Sequence, residues 1–161
     1  MIVRRLLPAD WQDYRAIRLQ ALEGAPEAFG SVHAIEAARP AEAFSERLSS
    51  AVVMGAYADG RIAGMAGYKR CEGPRDTHKA FVWGVFVAPD FQGHGVGQAL
   101  ITALIVAARQ EVEQLTLSVV TTNRSAITLY ERNGFRTYGI EPRALKSAAG
   151  YADETLMVLL L

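Results

Sequence analysis

A glycine-rich turn is the part of this sequence best suited to chemistry. The stretch from Val85 to Ala108 reads VFVAPDFQGHGVGQALITALIVAA, in which Gly93, Gly95 and Gly97 join an apolar, β-branched run to a long apolar helix. Glycines at every second position leave backbone N–H groups uncovered by side chains. The start of a helix also carries unpaired N–H donors and a partial positive charge. The turn is therefore suited to binding phosphate oxygens.

Two nucleotide-binding patterns do not fit this turn. A P-loop has a lysine followed by serine or threonine after its second glycine, and the turn contains no lysine. A dinucleotide fingerprint, GxGxxG, has its third glycine where this chain has Gln98, and no acidic residue near positions 119–121 is available to bind a ribose. The residues argue against both classes of phosphate ligand.

The rest of the chain predicts a mixed α/β fold around this turn. Hydrophobic patterning predicts strands at residues 2–7, 52–58, 61–69, 79–87, 114–120, 135–140 and 154–161. Helices are predicted at residues 10–22, 41–48, 96–108 and 123–133, with Asp10 and Asn123 as N-caps. Asp59-Gly60 is a hairpin signal, and residues 23–40 and 70–77 are predicted connections, the first with an irregular turn. This order indicates a mixed antiparallel and parallel sheet covered by helices.

The composition limits the class of protein. The chain has 161 residues, typical of one domain, and its 17 basic residues balance 17 acidic ones, so broad electrostatic binding to nucleic acid is not expected. Cys71 is the only cysteine, and the histidines, His33, His78 and His94, lack metal-ligand spacing. The N-terminal residues contain no apolar segment typical of a signal peptide, and no apolar run has the length of a membrane span. We expect a cytoplasmic protein without a metal.

Two sequence motifs together resemble one family. Residues 92–97, QGHGVG, match the pattern Gln/Arg-x-x-Gly-x-Gly/Ala, and residues 123–135, NRSAITLYERNGF, resemble the segment Asn-x-x-Ala-x-x-Leu-Tyr-x-x-x-Gly-Phe. Both are similar to motifs of the GNAT superfamily of acetyl-CoA-dependent N-acetyltransferases. The predicted order of elements resembles that fold across nearly the whole chain. The resemblance implies acetyl-CoA as co-substrate and an amine as acceptor.

The resemblance also implies roles for individual residues. The backbone of β-strand residues Val85, Phe86 and Val87 would hold the pantetheine arm like an added strand, and Gly84 is consistent with two strands parting there. Asn123 would form a hydrogen bond with the cofactor arm, and Tyr130 would lie near the thioester sulfur. The pyrophosphate would be bound by the N–H groups of the turn, namely Gln92, Gly93, His94, Gly95, Val96 and Gly97.

The expected chemistry requires a proton donor and an oxyanion stabiliser. Attack of an amine on a thioester places negative charge on the carbonyl oxygen, which a strand N–H near Phe86 could stabilise. Tyr130, with an unperturbed pKa of roughly 10, could protonate a thiolate whose thiol pKa is roughly 8.5. We therefore interpret Tyr130 as the general acid. The alternative is a purely structural aromatic residue, because Ala126, Leu129 and Tyr130 form one apolar face.

The general base and the acceptor are left open by the sequence. The family often has a glutamate on the strand at residues 79–87, and this chain has none there. His78, Glu36 and Asp153, acting through water, are the remaining candidates. The acceptor pocket is expected between residues 23–40, 69–77 and 141–151, whose mixed charge does not select among small-molecule and peptide amines.

Three further alternatives concern the whole protein. A non-catalytic acyl-CoA-binding or regulatory module would keep the same fold, and the missing strand carboxylate is compatible with it. An acyltransferase with a longer acyl group or a non-amine acceptor would also fit the turn. Dimerisation is common in the resembling family, although the apolar C-terminal residues 156–161 are equally compatible with a core strand.

Overall fold

The computed structural model describes residues 1–161 as a seven-stranded mixed sheet with helices on both faces, which confirms the predicted fold class. The strands are β1 (Ile2–Arg5), β2 (Val52–Ala58), β3 (Arg61–Arg70), β4 (Lys79–Val87), β5 (Gln114–Val120), β6 (Arg136–Ser147) and β7 (Gly150–Leu160). The helices are α1 (Trp11–Gly24), α2 (His33–Ala37), α3 (Ala41–Ser50), α4 (Val96–Ala108) and α5 (Arg124–Arg132). No helix has the length and hydropathy needed to cross a bilayer.

The sheet contains one parallel pair of strands, in its middle. The strand order is β1-β2-β3-β4-β5-β7-β6, and every neighbouring pair is antiparallel except β4 and β5. That parallel pairing covers only residues 79–81 of β4 and 114–116 of β5. Both strands continue well beyond this point, so they part and leave a gap in the sheet.

Two hydrophobic cores hold the helices on the sheet, because strand side chains point alternately to opposite faces. Val52 and Met54 belong to the core under α4 and α5, whereas Val53 between them belongs to the core under α1 and α3. Leu100 and Leu104 of α4 are fully buried in the first core. The gap between β4 and β5 therefore connects two layers that are otherwise separated by the sheet.

Two connections differ from the sequence-based expectation. The segment at residues 23–40 contains a 3-10 turn and the one-turn helix α2, rather than a single irregular turn. The final hairpin is longer than predicted, because β6 continues past Pro142 to Ser147 and β7 begins at Gly150. A register shift between Glu141 and Leu145 accommodates the proline outside the ladder, so pairing resumes after it.

Asp10 lies at the predicted N-cap position of α1, but its side chain does not cap that helix. The carboxylate accepts two hydrogen bonds of 2.8 Å from Arg4 and one of 2.7 Å from the N–H of Leu7. Asp10 therefore joins β1 to the start of α1. The hydrogen bonds with Arg4 and Leu7 hold the pKa of Asp10 at about 2.

Candidate functional site

The gap in the sheet coincides with a bulge in β4. Met65 of β3 pairs with Phe86, and Gly67 pairs with Trp83, so β4 has one residue more than β3 between these pairs. Gly84 lies in this bulge with φ +65°, a conformation that favours glycine. Beyond residue 81 the edge of β4 has no strand partner on the β5 side. An extended molecule could add to this free edge as a strand does.

A cavity of about 660 Å³ opens at this gap, a size within the usual range for small-molecule sites. Its wall combines the β4 bulge, the facing part of β5 and the first and last turns of α5. The lining residues from these elements are Trp83, Gly84, Val85, Leu117, Ser118, Val119, Asn123, Ala126 and Tyr130. Of the site residues predicted on β4 and α5, Val85, Asn123 and Tyr130 therefore meet at one cavity, whereas Phe86 and Val87 do not line it.

The glycine turn presents free backbone donors at the start of α4. From Gly93 to Gln98 no backbone N–H donates a hydrogen bond within the protein. Gly93 and Gly95 both have φ +77°, and a Cβ at either position would meet no atom within 4 Å. Gly95 is the N-cap residue of the helix. The turn therefore has the free donors, the space and the helix dipole that an anion requires.

Gln92 differs from the other residues of this turn. Its backbone N–H donates to the Pro89 carbonyl at 3.2 Å, so it is already used in a 3-10 turn. Its side-chain Nε2 donates to the Val87 carbonyl at 3.1 Å, and His94 Nδ1 lies 2.8 Å from the Gln92 carbonyl and must donate to it. Gln92 therefore fixes the turn to the end of β4, and the free amides begin at Gly93.

Gly97 allows two helices to approach each other. A Cβ at this position would lie 3.2 Å from Leu129 Cδ2, which is tighter than ordinary contact. The third glycine of the motif therefore serves the packing of α4 on α5, although its N–H remains free.

Asn123 caps α5, as the sequence predicts. Its Oδ1 accepts hydrogen bonds from the N–H of Ala126 at 3.2 Å and from the hydroxyl of Ser125 at 3.1 Å. Its Nδ2 donates no hydrogen bond within the protein, and the residue lines the cavity. The amide can therefore act as a cap through oxygen and as a donor to a ligand through nitrogen.

Tyr130 is both a core residue and a cavity residue. It is 6% exposed, and its ring packs edge-on against Phe135 at 5.8 Å between centroids. Its hydroxyl forms no hydrogen bond within the protein, and the residue lines the cavity. Burial raises the pKa of Tyr130. The hydroxyl is thus kept protonated at neutral pH and has its proton available to a ligand.

The three residues predicted as general bases differ in whether they line the cavity and whether they are already hydrogen-bonded. His78 is exposed and does not line the cavity. Asp153 is also exposed, and its carboxylate accepts a hydrogen bond of 2.7 Å from the N–H of Arg143. Glu36 lines the cavity, but both of its oxygens accept hydrogen bonds of 3.2 Å from Arg47.

Glu154 is a cavity residue that the sequence did not single out as a base. It is half-buried on β7 opposite Val120 of β5, and it lines the cavity. Its carboxylate has no hydrogen bond or ion pair within the protein. No sequence signal distinguishes it from the adjacent Asp153; only the alternation of β7 determines that Glu154 faces inward.

The cavity continues towards α1, α2 and α3 and becomes strongly charged there. The expected loop at residues 23–40 does contribute to this wall, whereas residues 141–151 contribute nothing and the 69–77 region contributes only Lys69. Three arginines surround one buried carboxylate at this end, namely Arg18, Arg39 and Arg47 around Glu36. Arg18, Glu36 and Arg47 come from three helices and Arg39 from the connection between α2 and α3, so the cluster could not be seen in the sequence. No group of three or more His, Cys, Asp or Glu side chains could hold a metal ion.

Comparison with known proteins identifies the family. A family model described as Acetyltransferase (GNAT) family matches residues 9–135. The chain belongs to the GNAT acetyltransferase family. Solved structures agree with this family at the level of the fold. A GNAT-family acetyltransferase from Streptococcus pneumoniae superposes with a TM-score of 0.87 at 22% identity, covering 99% of this chain and 98% of that one.

A second solved structure, the putative acetyltransferase yncA from Salmonella typhimurium with its cofactor acetyl-CoA, has a TM-score of 0.83 at 22% identity. The superposition covers 100% of this chain and 94% of the yncA chain.

Curated relatives match only part of their length. The N-alpha-acetyltransferase RimI of Mycobacterium tuberculosis is 34% identical over 106 residues, which are 65% of this chain and 65% of that protein. The [ribosomal protein bS18]-alanine N-acetyltransferase of Salmonella typhimurium is 35% identical over 82 residues, which are 50% of this chain and 55% of that protein. The match to the mycothiol acetyltransferase of Geodermatophilus obscurus covers only 22% of that relative. The chain thus spans between about a fifth and two thirds of the length of these relatives.

Proposed function

We propose that the chain is a single acetyltransferase domain that transfers the acetyl group of acetyl-CoA to a primary amine of a small molecule or peptide. The observation that carries this proposal is the parting of β4 from β5, which opens a cavity lined by Tyr130, together with the turn of free amides that follows β4. Family membership supports it. The relatives named above act on amines of different kinds, so they do not select the acceptor.

Acetyl-CoA fits the described residues in three places. The N–H groups from Gly93 to Gln98 would bind the pyrophosphate, where the helix dipole favours negative charge. The free edge of β4 at residues 85–87 would hold the pantetheine arm. Asn123 would donate its free Nδ2 to the same arm. Acetyl-CoA then supplies an activated acetyl group at the gap between the strands.

Tyr130 is proposed as the general acid. The amine lone pair would attack the thioester carbon, the carbon–sulfur bond would break, and the sulfur would take the electron pair of that bond together with the hydroxyl proton of Tyr130. The nitrogen carries one proton too many once it is bound to the acetyl carbon, and the release of that proton would restore the Tyr130 hydroxyl. Because burial raises the pKa of Tyr130, the residue is fully protonated at neutral pH. A backbone N–H near Phe86 would stabilise the oxyanion that precedes bond cleavage.

Glu154 is proposed as the proton acceptor for the amine. A primary alkylammonium has a pKa of roughly 10, so the amine must lose a proton to become nucleophilic at neutral pH. Among the cavity carboxylates, Glu36 is engaged by Arg47 and Glu46 is exposed on α3. Glu154 is half-buried and has no partner in the protein. It is therefore the carboxylate free to accept a proton in the cavity.

A panel of primary amines, assayed for acetyl-CoA-dependent release of the CoA thiol, tests the proposal. We expect release well above the acetyl-CoA hydrolysis rate with at least one class among amino acids, polyamines, aminoglycosides and peptide N-termini. The absence of a glutamate on β4 leaves a non-catalytic acyl-CoA-binding module as the second candidate. Saturable acetyl-CoA binding without release by any amine would favour that second candidate.

A further inference from the structure

Arg18 is a buried cation whose hydrogen-bonding capacity is mostly unused. It lies on α1, is 5% exposed and lines the cavity. Its Nη2 donates to the Ser31 hydroxyl at 3.0 Å, whereas its buried Nε has no partner. Its Nη1 also has none and lies 3.9 Å from the position that a Cβ on Gly84 would occupy. Arg18 therefore reaches the β4 bulge where the acetyl group is expected.

The neighbouring carboxylate neutralises this cation only in part, because it is shared with two other arginines. Glu36 accepts its hydrogen bonds from Arg47, whereas Arg18 and Arg39 each lie 3.8 Å from its carboxylate, beyond hydrogen-bond distance. One carboxylate among three guanidinium groups leaves this end of the cavity with excess positive charge. Burial lowers the pKa of Arg18 by disfavouring its charged form, yet arginine stays protonated in proteins. A buried cation without a full partner is costly unless an anion joins it.

Aromatic rings hold the Arg18 guanidinium in place. Its Cζ lies 5.5 Å from the centre of the Phe29 ring and 5.9 Å from that of Trp83. Such contacts occupy the faces of a guanidinium and leave its edges available for hydrogen bonds. The edge of a fixed guanidinium matches a carboxylate, which can accept two parallel N–H donors.

We propose that Arg18 binds a carboxylate of the acceptor, so that the substrate is a small amino acid. This inference rests on the proposed acetyl transfer. Because Arg18 lies beside Gly84, the carboxylate and the reacting amine must be only a few bonds apart, as in an amino acid. Glu154, which lines the same cavity, supplies the charge that suits the amine. A polyamine or aminoglycoside would instead place positive charge against Arg18.

The kinetic test compares each protein amino acid, as the free acid, with its α-carboxamide. We expect kcat/KM for the preferred amino acid to fall by about tenfold or more on amidation, as for loss of a charge-assisted hydrogen bond. Arg18→Gln should remove this discrimination, mainly through KM, and Arg18→Lys should restore part of it. Arg15→Gln is the matched control, since Arg15 lies on the same helix but donates to the Ala37 carbonyl and does not line the cavity.

A binding measurement separates this inference from the proposed function. Trp83 lines the cavity, and Trp11 is the only other tryptophan, so fluorescence of a Trp11→Phe variant reports on the site without turnover. A saturable change with free amino acids in the presence of CoA, weaker by tenfold or more with carboxamides, would support the inference even if no acetyl transfer occurs. Equal responses to acids and carboxamides, no response to any free acid, or turnover confined to polyamines or peptides would overturn it. These results need no substitution at Arg18, so they decide the matter even if Arg18→Gln fails to fold.

Discussion

Gln98 and Asn133 exchange two hydrogen bonds through their side-chain amides, of 2.7 and 3.1 Å. Asn133 Nδ2 also donates to the Leu129 carbonyl at 2.8 Å. The pair joins the first turn of α4, which follows the glycine turn, to the end of α5, which carries Tyr130. The proposed phosphate-binding turn and the proposed general acid are therefore held as one unit.

This amide pair predicts non-additive losses of stability. Gln98→Ala and Asn133→Ala should each lower the free energy of unfolding by about 1 kcal/mol, the usual contribution of such hydrogen bonds. The double variant should lose less than the sum of the two, because each single variant already breaks the shared bonds. Urea unfolding of the four proteins measures the coupling, with the exposed Gln110→Ala as control. Strict additivity would show that the two side chains do not interact in solution.

Tyr130→Phe separates the catalytic interpretation from the structural one. Because the hydroxyl has no hydrogen bond in the protein while the ring packs on Phe135, the variant should be as stable as the wild type. Turnover should fall by about 100-fold or more, the usual contribution of general acid catalysis, with little change in acetyl-CoA affinity. Since the pKa of Tyr130 is raised, the wild-type rate should not decline from its ionisation below pH 10. Wild-type activity in Tyr130→Phe would leave Tyr130 a core residue only.

Glu154→Gln tests the proposed base through its pH dependence. The variant should turn over far more slowly at pH 7, by about 100-fold. It should recover as the pH approaches the pKa of the free amine, because the substrate then loses its proton to solvent. Glu46→Gln, at the exposed rim of the same cavity, is the matched control. A uniform loss of rate at all pH values would assign Glu154 to substrate binding instead.

The Arg4–Asp10 pair predicts a loss of stability in acid. Because the folded-state pKa of Asp10 is lowered from 3.8 to about 2, its contribution is complete above pH 3.8 and is lost as the pH falls through about 2. Asp10→Asn should therefore be less stable than the wild type at pH 7, and this difference should shrink across that acidic window. Thermal unfolding at several pH values measures it, with the exposed Asp90→Asn as control. A difference independent of pH would show that the charge of Asp10 is not responsible.

Local motifs made part of this account predictable from the sequence. The glycine turn and the cap at Asn123 depend on residues within one or two helical turns, so residue types alone predict their conformation. The mixed sheet followed from the order of the elements and the Asp59-Gly60 hairpin. The turn, the cap and the hairpin are determined by residues close together in sequence, and the structure agrees with these predictions.

The charged end of the cavity was not predictable in this way. Arg18, Glu36 and Arg47 belong to three helices, and only the packing of those helices on the sheet brings them together. The inward position of Glu154 depends on the register of β7 against its neighbours. That register could not be predicted from the sequence, because a bulge near Pro142 interrupts the ladder between β6 and β7. A sequence motif thus predicted the proposed donor site, whereas tertiary packing forms the proposed acceptor site.

The central claim, that the glycine turn and the cavity bind acetyl-CoA, is tested most directly by thermal unfolding during titration with acetyl-CoA. We predict a stabilisation of about 2.7 kcal/mol at a hundredfold excess over the dissociation constant. Gly95→Glu should abolish it by placing a carboxylate against the phosphates. Gly60→Glu is the control, because it imposes a similar backbone strain at φ +72°. This variant should keep the stabilisation by acetyl-CoA, since Gly60 lies in a hairpin turn away from the cavity. No shift of the wild type at millimolar acetyl-CoA, or an equal shift in Gly95→Glu, would contradict the account.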